Sequence, residues 1–130
     1  MDKVYYKTLQ PLIDSGHIQA AINGTYKFPS GVNLFPGTSC MFKCSFCGRN
    51  YEAKDPNYNY FYDTLLDQDP KDNPYRYNIS GGLEPLTYNE IDRLCKDLHV
   101  RGFKSRLITN GFLLTQRNIE RKPNLLTLDH

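Results

Sequence analysis

Three of the four cysteines fall within eight positions, in the stretch CMFKCSFC that spans residues 40 to 47. Cys40, Cys44 and Cys47 are therefore spaced C-x3-C-x2-C, close enough for all three thiolates to converge on one centre. A tetrahedral zinc site would need a fourth ligand, drawn from Cys95, His17, His99 or His130. Four thiolates on a [4Fe–4S] cluster make an electron carrier, whereas three leave one iron open to a substrate or cofactor. Thiolates suit zinc and iron–sulfur alike, so ligand type leaves both readings standing. The flanking Lys43, Ser45, Gly48 and Arg49 are polar and loop-like, which argues against three inert core thiols. Cys95 reads the other way. It shares an apolar helix face with Ile91, Leu94 and Leu98 and is expected to be a buried, unreactive thiol.

The elements around this loop must position it. Residues 4–22 carry apolar positions at loosely helical spacing, broken at Gly16. A strand through Val32 and Leu34 ends at Pro36-Gly37 and leads into the cysteine loop. Residues 51–74 are polar, with a short helix expected around Tyr60 to Leu66. YRYNIS then reads as a strand ending at Gly81-Gly82. Thr87 to His99 reads as a helix opened by a Thr87/Glu90 capping box and stopped at Gly102. SRLIT is the next strand, ending at Asn110-Gly111. A helix over Leu114 to Arg121 is cut off by Pro123, and LLTLD is expected to form a fourth strand. Strand, helix, strand with short connections predicts an α/β fold of parallel βα repeats with right-handed crossovers.

A closed eight-fold barrel takes about 250 residues. The 130 residues here predict a partial (β/α) barrel, cut short after about four strands. The expected division is a helical extension over residues 1–29 and a partial barrel core over 30–130. The formal net charge of +2 gives no electrostatic case for a nucleic-acid partner. An aromatic YNYFY run near Lys54 and Lys71 resembles a base-stacking surface, but Asp55, Asp63, Asp67 and Asp69 share its segment and oppose that reading. No apolar run is long enough to span a membrane, and the first residues lack an apolar signal core. A cytoplasmic protein with reduced thiols is expected.

The cysteine spacing with Phe46 just before the last thiol resembles the signature of the radical S-adenosylmethionine (radical SAM) enzymes. SGGLEPL (residues 80 to 86) looks like that family's Gly-Gly-Glu-Pro motif, and ITNG (108 to 111) like its Thr-Asn-Gly turn. The resemblance covers residues 30 to 130. It implies that Cys40, Cys44 and Cys47 ligate three irons of a [4Fe–4S] cluster and that SAM occupies the fourth. It further implies reductive cleavage of SAM to a 5′-deoxyadenosyl radical that abstracts hydrogen from a substrate the sequence does not name. By the same resemblance Phe46 packs near the adenine, and Gly81 and Gly82 let backbone approach the methionyl group. Glu84 accepts from the SAM ammonium, although Leu83 here intervenes between the glycines and the acid. Thr127, then Asp129, would reach the SAM ribose from the fourth strand.

A flavodoxin- or ferredoxin-like electron donor is the implied partner. The chain is expected to be part of a longer enzyme or to be completed by a partner chain. A natural short protein that binds cluster and SAM without full catalysis, and a zinc-binding structural module, are the alternatives.

Overall fold

The structure, a computed structural model, describes residues 10–29, 31–49, 62–70 and 76–129. The first residues of the extension, most of the YNYFY run, Lys54, Asp55, Lys71 and His130 lie outside the described residues.

Two compact units divide the chain, Met1–Ser30 and Gly31–His130. In the first, residues 10–14 are helical and α1 (His17–Ile22) follows. Between them Gly16 takes φ +75°, the left-handed conformation that glycine adopts without penalty, so the helical path breaks there. Both ring nitrogens of His17 are hydrogen-bonded, Nδ1 with Ser15 Oγ at 2.5 Å and Nε2 with the Phe28 carbonyl at 2.7 Å. This histidine serves the unit's own packing.

The second unit runs β1 (Gly31–Leu34), α2 (Tyr62–Gln68), β2 (Arg76–Ile79), a 3-10 turn (Pro85–Thr87), α3 (Ile91–Val100), β3 (Lys104–Leu107) and α4 (Gln116–Arg121), then a second 3-10 turn (Pro123–Thr127). The strands form one parallel sheet in the order β1-β2-β3. In register, Leu34, Ile79 and Leu107 lie side by side, as do Asn33, Asn78 and Arg106. Alternation along each strand therefore sends the two sets to opposite faces. The apolar set meets α3, whose Ile91, Leu94, Cys95 and Leu98 are fully buried, as are Tyr77 and Ile79 beneath them. On the other face Asn78 donates to Asn33 Oδ1 (2.8 Å), and Arg106 Nε donates to Asn78 Oδ1 (2.6 Å). This sheet thus has an apolar helix-covered face and a face carrying a polar row across all its strands.

Two expectations fail in instructive ways. The Thr87/Glu90 capping box does not form: α3 starts at Ile91, and Glu90 makes no side-chain cap. Pro85 starts a separate 3-10 turn, and the Thr87 hydroxyl is drawn back to the Glu84 carbonyl at 2.6 Å. LLTLD is not a fourth strand. Pro123, with its fixed φ, opens a 3-10 turn that holds residues up to Thr127. Asn124 is pinned to α3 by bonds from its N–H and its Nδ2 to the two oxygens of Asp92 (2.9 and 2.7 Å). In that turn the period is three, so Leu125 and Leu128 share the core-facing side and Leu126 is exposed. Beyond the turn, the Asp129 N–H reaches the Ser105 carbonyl on β3 at 2.8 Å.

Among the described residues no helix is long and apolar enough to cross a membrane.

Candidate functional site

Parallel α/β sheets place their sites beyond the carboxyl ends of the strands, and the loops leaving β1, β2 and β3 all converge there. Ladder bonding continues one step past the strands, from Ser80 N to Leu34 O (2.9 Å) and from Ile108 N to Ile79 O (2.8 Å). From that rim each chain turns into a motif: Phe35-Pro36-Gly37 toward the cysteines, Ser80-Gly81-Gly82, and Ile108-Thr109-Asn110.

The turns are packed backbone to backbone. A Cβ on Gly37 would lie 2.6 Å from the Leu83 carbonyl carbon, so only glycine lets the β1 loop close on the β2 loop. Glu84 N then donates to the Ser39 carbonyl at 2.9 Å. Gly82 has φ +73°, and a Cβ there would stand 3.2 Å from the carbonyl oxygens of Phe35 and Gly37. The double glycine is therefore demanded by packing and backbone conformation in this chain, whatever else it serves.

Glu84 is the polar centre of the arrangement and is buried. Its Oε1 accepts from Leu86 N (3.1 Å) and Thr109 Oγ1 (2.5 Å), and its Oε2 accepts from Asn110 N (3.0 Å). The carboxylate thus ties the turn after β2 to the turn after β3. Asn110 in turn reaches the cysteine loop: Nδ2 lies 3.7 Å from Cys40 Sγ and 3.3 Å from Met41 Sδ.

The cleft enclosed by these loops has a volume of about 310 Å³. Cys40, Cys44, Cys47 and Phe46 line it together with Gly81, Gly82, Glu84, Thr109 and Asn110. Cys44 is exposed and Cys40 and Cys47 are half-buried; the loop turns through a bond from Cys47 N to the Cys44 carbonyl (3.0 Å). Phe46 is 89% exposed. Arg49 brings a cation to the same cleft, stacked over the Phe35 ring at 5.5 Å.

Seven of the nine site residues expected from the sequence lie together here. Thr127 and Asp129 do not line the cleft, and the strand meant to carry them is a 3-10 turn. Thr127 Oγ1 donates to the Asn124 carbonyl (2.7 Å), and the Asp129 carboxylate accepts from Ser105 N (2.7 Å). Sequence reasoning gave no side-chain role to Asn110, Thr109, Arg49 or Gly37. The Thr-Asn-Gly and Pro-Gly turns were visible, but the contacts that join them are long-range.

Three thiols and no histidine on the described cleft wall form a donor set suited to iron–sulfur ligation. Among the described residues no three His, Cys, Asp or Glu side chains gather around a point where a single metal ion would sit. Cys95 stands apart, fully buried behind the sheet, its thiol pushed up to about 12 first by burial and then by Asp92.

The chain is similar to members of the radical SAM superfamily. It is 39% identical over 127 residues to the dTDP-4-amino-4,6-dideoxy-D-glucose ammonia-lyase of Streptomyces venezuelae, covering 93% of this chain and 26% of that protein. It thus spans about a quarter of the length of the curated relative it matches. Among solved structures it is similar to Streptococcus suis SuiB bound to its precursor peptide SuiA, with TM-score 0.59 and 28% identity over 88% of this chain and 26% of that one. The SuiB structure bound to S-adenosylmethionine superimposes with TM-score 0.52 at 21% identity, over 91% of this chain and 34% of that one, a likeness of fold alone. No family model matches the chain.

Proposed function

We propose that this chain forms the cluster- and SAM-binding part of a radical SAM enzyme, built on a partial (β/α) barrel. One observation carries the reading: three thiols and a Gly-Gly turn line one cleft at the carboxyl ends of parallel strands. Cys40, Cys44 and Cys47 would hold a [4Fe–4S] cluster and leave one iron for SAM. Bound there, the cluster would supply the electron that cleaves SAM reductively to methionine and a 5′-deoxyadenosyl radical.

The chain's own residues bind and orient. Gly81 and Gly82 line the cleft, where their backbone would approach the methionyl group, and the exposed Phe46 ring would cover the adenine. Arg49 offers a cation to an anionic group of the ligand. Glu84 spends its oxygens first on bracing two turns; each carboxylate oxygen accepts twice, so an ammonium would share Oε2 with Asn110 N. Thr127 and Asp129 are engaged within the fold and are left out of this proposed site. The polar row of Asn33, Asn78 and Arg106 suits the inner face of such a barrel, since α3 covers the other.

For the whole enzyme, a lyase acting on a nucleotide-linked amino sugar is the substrate class to test first. The ammonia-lyase likeness, at 39% identity, is stronger than the peptide-bound SuiB likeness, at 28%. A flavodoxin- or ferredoxin-like donor and a cytoplasmic setting belong to the same proposal, as does completion of the barrel by further chain.

Anaerobic reconstitution with iron and sulfide tests the reading. About four irons per chain are expected, lost when Cys40, Cys44 or Cys47 is replaced by alanine and kept in Cys95→Ala. A colourless protein holding one zinc would overturn it.

A further inference from the structure

We infer that Asn110 donates a hydrogen bond to the Cys40 thiolate and thereby raises the reduction potential of the cluster that the three cysteines hold, an inference that rests on the cluster reading above. The side-chain amide is held in one orientation. Its Oδ1 accepts from the Phe112 backbone N–H at 3.0 Å, which is an acceptor's place only, so Nδ2 faces the other way. In that direction stand Cys40 Sγ at 3.7 Å and Met41 Sδ at 3.3 Å. The backbone is fixed as well, because Asn110 N is bound to the buried Glu84 carboxylate at 3.0 Å. Glu84 also takes the Thr109 hydroxyl at 2.5 Å, so both residues that precede the glycine of this turn are anchored to one group. The donor is thus delivered to the cysteine loop by a rigid connection from β3.

An N–H aimed at a ligating sulfur stabilises negative charge there. Reduction adds charge to the cluster and its thiolates, so the bond favours the reduced form, and hydrogen bonds to the sulfurs are among the factors that set such potentials. Removing the donor leaves the three thiolates in place and makes reduction harder.

The test is a redox titration of the reconstituted chain, followed by the visible absorption and EPR of the cluster, for wild type, Asn110→Ser and Asn110→Leu. Serine keeps a short acceptor for the Phe112 N–H but does not reach the sulfurs, so the turn is retained while the donor is lost. The expected result is unchanged iron content in Asn110→Ser with a midpoint shifted to more negative potential, by a several-fold change in the reduction equilibrium. Asn110→Leu shifts the same way. An iron-loaded Asn110→Ser chain with the wild-type midpoint overturns the inference and leaves the cluster reading intact. A wild-type chain that takes up no iron overturns both. If serine costs the chain its iron, Asn110→Asp decides: it keeps the Oδ1 acceptor and the side-chain shape, and a wild-type midpoint in that variant overturns the inference.

Discussion

The Glu84 carboxylate and the Asn110 backbone nitrogen, 3.0 Å apart, join the turn after β2 to the turn after β3. With the Thr109 hydroxyl and Leu86 N–H on the other oxygen, one buried side chain satisfies three donors from two loops. Replacing it with an isosteric amide turns one acceptor into a donor that faces another donor. Glu84→Gln is therefore expected to cost about 1–3 kcal/mol of stability, read as a lower urea midpoint. A wild-type midpoint would show that the carboxylate braces nothing.

The β1 loop closes on the β2 loop only because residue 37 has no side chain. Gly37→Ala places a methyl 2.6 Å from the Leu83 carbonyl carbon, so backbone must shift, and about 1–3 kcal/mol of overpacking cost is expected. Gly48, in the cysteine loop, has open space around its missing Cβ and no positive φ. Gly48→Ala should stay within about 0.5 kcal/mol of wild type. Equal effects of the two substitutions on thermal unfolding would contradict this packing.

The four thiols should separate by reactivity. Cys40, Cys44 and Cys47 are open to solvent to differing degrees, and Cys95 is fully buried with its pKa raised. In the metal-free chain near neutral pH, a thiol reagent should modify three cysteines promptly and the fourth only on unfolding. Fast labelling of Cys95 in native protein would place it elsewhere than the core.

Alkaline pH should act through the same residue. Burial lifts the Cys95 thiol from 9.0 to about 12, so its neutral form is the one the fold accepts. That contribution is fully present below about pH 9 and is lost as pH rises toward 12. Tyr77, also raised by burial and by its 2.5 Å bond to Asp69, works in the same direction. Cys95→Ala should be about 1 kcal/mol less stable at pH 7 yet lose less on going to pH 11. Parallel stability curves for the two proteins would contradict the assignment.

Much of the sheet and of α3 was legible in the sequence because their signals are local. Period-two alternation marks β1 and β2, and Ile91, Leu94, Cys95 and Leu98 repeat at helical spacing. The motif glycines were legible too, although their reason is partly packing against Phe35 and Gly37. What misled was local pattern overruled by a distant partner. LLTLD alternates like a strand, but Pro123 and the Asp92 clamp on Asn124 wind it into a 3-10 turn. Thr87 and Glu90 spell a capping box, but Pro85 and the Glu84 carbonyl claim the threonine. The link from Glu84 through Asn110 to Cys40 spans contacts 26 and 70 residues apart in sequence, beyond any local pattern.

The claim at the centre of the account is that three cysteines leave one iron open to SAM. The EPR spectrum of the dithionite-reduced, reconstituted chain, recorded with and without SAM, tests it most directly. A cluster signal whose g-values shift when SAM is added is the predicted result. A signal of full intensity that SAM leaves unchanged would contradict it.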